Sequence, residues 1–390
     1  MNPKTPEATA AIGDAADVLH GDGQFIARRS GRFLVVELLM PHRVVSTSAH
    51  QGGEQEDLRY LVNHQSCEAS GDTARHELIS RLGLPAYHRD VCGEIGIDPD
   101  RAAVMGTAAN MACAAHRSAG FEELRADAFV TAGVAGNATR AGEPASWHET
   151  DDGSWRRVNP MAGTINTLLL INVPITSAAQ ARAVVTMTEA KSAALADLAV
   201  PSRRSPAIAT GTGTDQFCIA APLDPSRRSR ESTGPHAKLG ELIGVAVKEA
   251  TAEALRWQNG LEPSYTRGLA HALGRFGFAE AEALERLAEL LPESQHALLE
   301  RNQRALFYDP GVAASAYAIA AVLDRIAAGT LPAGYAAEAL RHQAASLACA
   351  VSARPLDWVS FHAALGDARD DSPVDLVLRA IAVGWAAKWT

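Results

Sequence analysis

The stretch that decides the fold reads PMAGTINTLLLINVPITS (160–177), AAQARAVVTMTEAKSAALADLAV (178–200) and, after a short break, PAIATGTGTDQFCIAAP (206–222). Thr164–Val173 is an apolar run rich in β-branched residues, which predicts a buried strand. Ser177 and Gln180 have the spacing of a capping box, so a helix is predicted from there to about Val200. The order strand, helix, strand is typical of a mixed α/β structure.

The segment after this helix predicts two further strands joined by a tight turn. Pro201 ends the helix, and Ala207–Thr210 and Gln216–Ala220 have strand-like composition. Between them, Gly211–Asp215 is rich in glycine and hydroxyl groups, which favours a turn.

Lys191 lies near the middle of the apolar stripe of the predicted helix. At 100° per residue, Val184, Met187, Leu195 and Leu198 fall on its side of the helix. Such a lysine either reaches past the stripe to water or a carboxylate, or lies at the edge of a partly buried site, where desolvation makes it usable as an acid, base or clamp. Helical geometry alone favours water or a carboxylate partner.

Composition and charge limit the class of protein. With 390 residues, of which 47% are hydrophobic and 21% charged, the chain can form two domains, or one large domain with an extension. Its net charge of −9, with no basic block, argues against nucleic-acid binding. Five scattered cysteines without a CxxC spacing make structural zinc or a disulfide framework unexpected. With no apolar leader and no run of 18 apolar residues, we expect a cytoplasmic protein.

Strand signals recur in the N-terminal half. Residues 1–22 are expected to form a loose tail or a single helix, whereas Phe33–Met40 and Arg43–Thr47 predict strands. Ser46–Gly53 then forms a turn rich in hydroxyls and glycine. Such a turn could present backbone N–H groups to an anion or a polar amide, although the plain-loop interpretation is favoured for this segment alone.

The middle of the chain predicts two helices, at residues 72–83 and 102–119, and a strand at Asp127–Val134. Trp147 and Trp155 follow in a loop, where they either line a flat cavity or hold the loop in place.

Pro235 suits the first turn of a helix that runs to Trp257. His236 is then expected near the positive end of the helix dipole, where its cationic form is disfavoured.

The composition changes at Gly260–Pro263, after which six or seven helices rich in alanine and leucine are predicted without a convincing strand. We therefore predict a tail over 1–29, an α/β or α+β domain over 30–260 with a mixed β-sheet flanked by helices, and an all-helical domain of unassigned role over 261–390.

The ionisable residues near the predicted strand ends define the chemistry available. Gly211–Asp215 lacks a P-loop lysine, and the chain has neither an HExxH pair nor a GxSxG elbow. What remains are loops rich in threonine, asparagine and glycine, with Glu189, Lys191, Asp215, His236 and Lys238 beside them. A carboxylate or histidine can activate water and donors can stabilise an oxyanion. The residues alone indicate a hydrolase or a binding protein for a polar organic molecule.

Six short sequence segments between residues 46 and 244 are rich in threonine, glycine or ionisable residues. They read STSAHQGG (46–53), GVAGNATRAGEPA (133–145), GTINTLLLIN (163–172), TEAKSAAL (188–195), ATGTGTDQ (209–216) and GPHAKLGELIG (234–244). Together they resemble the adenosylcobinamide amidohydrolase family, in the family's order and spacing, over about residues 30–258.

The resemblance implies hydrolysis of the secondary amide that joins a corrin side chain to aminopropanol, a linear, non-peptide bond. Adenosylcobyric acid would be released, so that scavenged corrinoids re-enter cobamide synthesis. The cobalt would belong to the substrate, and the enzyme would need no cofactor or metal of its own. The expected partner is this small-molecule corrinoid, with no nucleic acid and no membrane; a homo-oligomer is allowed.

The resemblance also implies the site residues. Glu189, Lys191, Asp215 and His236 are predicted to surround the scissile amide. One of the acidic residues or His236 would act as general base on water, and Lys191, with threonine hydroxyls or backbone N–H groups, would stabilise the oxyanion. The predicted substrate-binding residues are Ser46, Thr47, His50, Gly52, Gly53, Asn137, Thr164, Asn166, Thr210, Thr212 and Thr214.

Three positions depart from the family pattern. Gln51 stands where the family usually has asparagine, and Pro235 and Ala237 replace more usual small or hydroxyl residues. These departures bear on the choice among corrinoids more than on the reaction.

Three alternatives remain open. A threonine nucleophile (Thr164, Thr210 or Thr212) could replace activated water. Glu189, Lys191 and Asp215 could form a buried ion-pair network that only shapes the loops. The chain could also be a non-catalytic corrinoid-binding carrier or sensor, but its retained ionisable residues favour the enzyme.

Overall fold

The computed structural model describes residues 16–68, 74–145, 147–152, 155–157, 163–367 and 372–389. It divides into two compact units, one of Met1–Arg204 with Ile208–Gly260 and the other of Ser205–Ala207 with Leu261–Thr390. The first fifteen residues of the predicted tail lie outside the described ranges.

The first unit contains both strands and helices. The strands are β1 (Asp17–Gly21), β2 (Phe25–Ser30), β3 (Phe33–Leu38), β4 (His42–Ser46), β5 (Gly53–Gln55), β6 (Tyr60–Gln65), β7 (Ala102–Thr107), β8 (Ala115–Phe121), β9 (Leu124–Ala132), β10 (Ala138–Thr139), β11 (Trp147–Glu149), β12 (Trp155–Arg157), β13 (Ile165–Ile171), β14 (Gly211–Thr212) and β15 (Gln216–Pro222). The helices are α1 (Ala74–Leu82), α2 (Leu84–Glu94), α3 (Ser177–Asp197) and α4 (Lys238–Asn259).

Two mixed sheets form the body of this unit. One has the strand order β1-β2-β3-β6-β7 and the other β5-β4-β15-β13-β9-β8. Each sheet contains one parallel pair, β6 with β7 and β13 with β15, among antiparallel neighbours. Every residue of β6 and β13 is buried, as expected for strands covered on both faces.

The two sheets pack face to face, and helices cover their outer faces. Side chains of both sheets, including Phe25, Leu61, Phe129 and Leu168, form one apolar core. Tyr87 and other residues of α2 pack on the outer face of the first sheet, while α4 packs on β9 in the second. The predicted mixed sheet flanked by helices is confirmed, but its strands are shared between two sheets.

A buried amide bridge joins the two sheets. The side chain of Asn166 in β13 donates to Oδ1 of Asn63 in β6 (2.9 Å) and to the carbonyl oxygen of Gly106 in β7 (3.1 Å). Asn63 in turn donates to the hydroxyl of Thr131 in β9 (2.8 Å). Since buried amides are costly unless they are paired, these hydrogen bonds fix how the strands of one sheet lie against those of the other.

Two predictions in the N-terminal half are wrong. Residues 17–29, predicted as part of a tail, form β1 and β2, because Phe25 and Ala27 are buried against the neighbouring strands. Residues 102–119, predicted as a helix, form β7, a short 3-10 turn and most of β8. Alanine favours helices, but pairing with β6 and β9 overrides that local preference.

Three local predictions in the second half also need correction. Ala207–Thr210 makes only an isolated bridge, between Pro201 and Ile208, and the strand begins at Gly211. The cap of α3 is Thr176, whose side chain accepts from the amide of Ala179, so the predicted capping box at Ser177 does not form. Pro235 lies in a turn before α4 because that helix starts only at Lys238.

The second unit is helical throughout its described residues, as predicted. It contains α5 (Pro263–Thr266), α6 (Leu269–Leu273), α7 (Glu280–Leu290), α8 (Glu293–Phe307), α9 (Pro310–Ala327), α10 (Ala333–Ser352), α11 (Trp358–Leu365) and α12 (Pro373–Ala387). Among the described helices, α9 alone has the length and composition of a membrane span, and its Val312 and Ile319 belong to the core of this unit. The core helices of globular domains often have the same length and composition, so α9 is not assigned as a membrane span.

The amide bridge leads to a stability prediction. Asn63→Ala leaves the Thr131 hydroxyl and one Asn166 hydrogen without their partners, and should lower the free energy of unfolding by roughly 1–3 kcal/mol in urea titrations. Thr188→Ala, on the exposed side of α3 in the same unit, is the control and should change stability by less than about 0.5 kcal/mol. Equal effects of the two variants would contradict a structural role for the bridge.

Candidate active site

The ends of both parallel strand pairs meet around one cavity. Gln65 pairs with Thr107 at the carboxyl ends of β6 and β7, and Asn166 pairs with Gln216 near the amino ends of β13 and β15. The amide of Gly106 donates to Oε1 of Gln216 (3.0 Å), which ties the two sheets together at this edge.

The cavity has a volume of about 320 Å³, and its lining combines polar side chains with a larger share of apolar surface. Hydroxyl and imidazole groups come from strand ends, from the loop after β4 and from α2. The described residues that line it are Ser48, Ala49, His50, His64, Ser66, Cys67, Ile79, Leu84, Tyr87, His88, Val104, Gly106, Thr107, Ala108, Gly163, Thr164, Thr214 and Gln216.

Two threonine hydroxyls in the lining form a directed chain. Thr214 Oγ1 donates to the carbonyl oxygen of Gly163 (2.7 Å) and lies 2.6 Å from Thr164 Oγ1. A hydroxyl has only one proton, so Thr164 must be the donor to Thr214. Thr164 Oγ1 therefore accepts no hydrogen bond from Thr214, and its lone pairs remain directed away from that hydroxyl.

Next to these threonines, Lys191 and Asp215 form a partly buried ion pair. The two side chains are 14% and 17% exposed, and Lys191 donates to Oδ2 of Asp215. The carboxylate also accepts from the Thr212 hydroxyl (2.6 Å) and from the amides of Thr212 (3.1 Å) and Ile165 (3.0 Å). Four donors match the roughly four lone-pair positions of a carboxylate, so the hydrogen-bonding capacity of Asp215 is taken up by the protein itself.

The position of Lys191 on α3 differs from the predicted stripe. The buried face of the helix is formed largely by alanines, including Ala183, Ala190 and Ala194, which allow close packing. Lys191 lies beside this face and pairs with a carboxylate, one of the alternatives that the sequence leaves open.

Close backbone approaches explain two glycines of this region. Gly163 has φ +146°, and a Cβ atom there would lie 2.9 Å from the Gly133 carbonyl oxygen. A Cβ atom at Gly211 would lie 2.8 Å from Lys191 Nζ and would also clash with the Asp215 carboxylate. The strings GTINT and TGTGTD therefore require glycine where the chain passes the ion pair and the threonines.

The loop after β4 brings His50 into the cavity. Its Ser48 hydroxyl accepts from the amide of Val104 in β7 (3.0 Å), and the Ser48 amide donates to the Ser46 hydroxyl (2.9 Å). Gln51 in this loop has φ +55°, a left-handed conformation that asparagine tolerates better than most residues. The backbone thus gives a physical reason for the asparagine that the family usually has at this position.

A histidine pair forms part of the cavity wall. The rings of His50 and His88 contact each other edge to face, with centroids 4.6 Å apart. Burial lowers the pKa of His88, while its hydrogen bond to the Pro99 carbonyl oxygen opposes that shift. The neutral His88 ring therefore has its proton on Nε2, which donates to Pro99 (2.9 Å).

The predicted site residues fall into separate groups. His50, Thr164 and Thr214 line the cavity. The others that lie close behind the lining or along the loops that support it are Ser46, Thr47, Gly52, Gly53, Asn137, Asn166, Thr210 and Thr212, together with Lys191 and Asp215. Asn137, for example, donates to the Gly163 carbonyl oxygen (3.0 Å).

Glu189 and His236 are not brought to this group. Both are exposed, and among the described residues no hydrogen bond or ion pair joins either to Lys191 or Asp215. The turn containing His236 is anchored through Thr233, which donates to the carbonyl of Ala179 in the first turn of α3. The Thr186 hydroxyl also donates to the Thr233 carbonyl oxygen (2.9 Å), so this turn lies against the part of α3 that precedes Lys191.

Several lining residues were missed by sequence reasoning. His64, Tyr87 and His88 lie in β6 and α2, outside all six segments of the resemblance. No spacing relates them to the threonine motifs, and only the packing of α2 on the first sheet brings them to the cavity. The only hint in the sequence was that the apolar run of β6 ends in a histidine and a glutamine, two polar residues that can line a site.

A cavity that presents imidazole and hydroxyl groups, next to a partly buried ion pair, has the side chains that a hydrolase site needs. The sequence model described as adenosylcobinamide amidohydrolase matches residues 17–263, which is more than half of the chain. The chain therefore belongs to the adenosylcobinamide amidohydrolase family, as the resemblance of its motifs predicts.

A relative of this chain occurs in Methanocaldococcus jannaschii. Its uncharacterized protein MJ1613 is 34% identical over 230 residues, which cover 57% of this chain and 85% of the relative.

The ion pair leads to a second prediction. Lys191→Met removes one partner of a partly buried pair and should lower the free energy of unfolding by roughly 2–3 kcal/mol in urea titrations. Lys248→Met is the matched control, because Lys248 pairs with Asp197 on the surface, where the two side chains are 46% and 59% exposed. That change should cost less than about 1 kcal/mol. A Lys191→Met variant as stable as the control would show that the pair does not support the loops.

Proposed function

We propose that the protein hydrolyses the amide between the corrin side chain and aminopropanol of adenosylcobinamide, giving adenosylcobyric acid for corrinoid salvage. Membership of the amidohydrolase family supports this substrate class. The observation that carries the proposal is that His50, Thr164 and Thr214, from three separate segments of the family resemblance, line one cavity.

The size of the cavity suggests which part of the substrate enters it. A volume of about 320 Å³ lies at the lower end of the roughly 300–1,000 Å³ of small-molecule pockets. It suits one amide-bearing arm better than a whole corrin ring, so the ring would stay at the mouth. Leu84, a lining residue that is 52% exposed, offers an apolar contact there. The cobalt is carried by the ring as part of the substrate.

The lining suggests how the amide is cleaved. In our proposal the Thr164 hydroxyl turns its proton from Thr214 to the carbonyl oxygen of the substrate, while Thr214 keeps its hydrogen bond to Gly163. His50 takes a proton from the attacking water. The C–N bond then breaks, the new carboxylate keeps the oxygen from water, and His50 returns the proton to the departing amine. Thr164 as nucleophile is the competing route, and it would form an acyl-enzyme that water then cleaves.

Lys191 and Asp215 are assigned a positioning role. Neither lines the cavity, and Asp215 already accepts from Lys191, Thr212 and Ile165. Through these contacts the pair holds the turn that carries Thr214. Lys191→Met should therefore reduce kcat when measured on the folded fraction, with a smaller change in KM, since the arm would still enter the cavity.

The reaction is tested by incubating metal-chelated protein with adenosylcobinamide and following the products by mass spectrometry. We expect adenosylcobyric acid and free aminopropanol in equal amounts. Substrate that binds but stays intact, both without metals and after they are restored, would instead identify a corrinoid carrier or sensor. Absence of binding would overturn both functions.

The role of Thr164 leads to a third prediction. Thr164→Val keeps the shape of the side chain but removes the hydroxyl, and should reduce kcat by about 10²–10³-fold, as loss of an oxyanion donor does. Thr164→Ser should retain most of the activity. Thr210→Val is the matched control, because the Thr210 hydroxyl accepts from the amide of Ala141 outside the cavity lining. Similar kcat values for Thr164→Val and Thr210→Val would contradict the assignment.

A further inference from the structure

The helical unit brings two imidazoles to one carboxylate oxygen. Glu338 and His342 are four residues apart in α10 and so share one face of that helix, while His362 comes from α11. The Nε2 atoms of His342 and His362 lie 3.5 Å and 3.2 Å from Oε1 of Glu338. The three ligand-type atoms all lie within 4.8 Å of one another.

These separations match those between the ligands of a small metal ion. Zinc binds imidazole nitrogen and carboxylate oxygen at about 2.0–2.2 Å, so two ligands of a tetrahedral ion lie about 3.3–3.6 Å apart. The two N–O distances lie at or close to this range. Zn²⁺ could therefore enter the cluster with little movement of either helix.

Neighbouring side chains orient the three groups. Arg341 donates to Oε2 of Glu338, which leaves Oε1 directed to the two imidazoles. The indole of Trp358 stacks on the His362 ring with centroids 4.8 Å apart, and lies 4.7 Å from the His342 ring. Such outer contacts are what fixes the rings and carboxylates of metal sites.

His362 provides an independent indication of a ligand. Its Nε2 atom is buried and makes no hydrogen bond within the described part of the chain, although it faces the carboxylate. Buried polar atoms without a hydrogen bond are uncommon and call for a partner. A metal ion bound to this nitrogen would supply one.

A second cluster of ligand-type groups, His20, His116 and Asp127, differs in this respect. There His116 Nε2 already hydrogen-bonds to Asp127 (3.1 Å), and Arg125 donates to both Asp127 and Asp22. The ligand-type atoms of His116 and Asp127 are therefore already hydrogen-bonded within the protein, whereas Nε2 of His362 is not.

We propose that Glu338, His342 and His362 form a binding site for Zn²⁺ or a similar transition-metal dication, with water as the fourth ligand. The site joins α10 to α11 and stabilises the helical unit. Its ligands are nitrogen and oxygen atoms. The scattered cysteines argue only against a zinc site built from thiolates, and they leave this site possible. The hydrolytic reaction proposed above does not depend on it.

The test measures zinc bound to the full chain after chelation and dialysis against micromolar ZnCl₂. We expect wild-type protein to hold one more equivalent than the His342→Gln/His362→Gln double variant at pH 7.5. Zinc should raise the unfolding temperature of the wild type and not that of the double variant. His148→Gln, which alters an exposed histidine of β11, is the control and should bind zinc like the wild type.

Two further variants separate loss of ligation from misfolding. Glu338→Gln removes the charge with little change of shape, and should lose the same equivalent while keeping the far-UV spectrum of the metal-free wild type. Because Trp358 contacts both histidines, zinc should change the tryptophan fluorescence of the wild type. Trp358→Phe should bind the same zinc without that change. Equal zinc content in the wild type, the double variant and Glu338→Gln would overturn the proposal.

Discussion

The structure of the first unit depends on the hydrogen bond between the side chains of Asn63 and Asn166. Both residues are fully buried, and each belongs to a different sheet. In the low dielectric of a core, an amide that loses its partner is expensive, so sliding one sheet over the other carries a direct energetic cost. The bridge therefore aligns the ends of β6 and β7 with the beginnings of β13 and β15.

That alignment creates the cavity and explains how the family motifs act. Thr164 and Thr214 come from the starts of neighbouring segments of the second sheet, while His64 and Gly106 come from the first. Most other motif residues lie one layer back, where they hold backbone carbonyls, amides and the Lys191–Asp215 pair in place. Most residues of these threonine- and glycine-rich motifs therefore support the few hydroxyl groups that line the cavity.

Sequence reasoning worked where local pattern and burial agree. The apolar run of β13, the helix α3 and the all-helical second unit all follow from periodicity and composition. It failed where alanine-rich segments became strands, as in β7, because strand pairing outweighed helix propensity. It also could not see that the strands form two sheets, since register between distant strands leaves no local signal.

The candidate site, like the fold, was predictable only where the signal lies in neighbouring residues of the sequence, and not where it depends on contacts between distant ones. Periodicity identifies Lys191 as an unusual residue, but its partner Asp215 is twenty-four positions away and is reached only through the folded turn. His236 and Glu189 have the right chemistry in the sequence, yet the turn before α4 and the helix α3 place them in exposed positions without a bond to the ion pair. His88 carries no motif at all and reaches the cavity because α2 packs on the first sheet.

The most direct test of the account is the location of the scissile amide. A crystal structure of the Thr164→Val variant with adenosylcobinamide would locate it. We predict that the amide carbon lies in the cavity between the two sheets, within contact distance of residues 164 and 214 and of the His50 ring. An amide found instead beside His236 and Glu189, with the cavity empty, would contradict it.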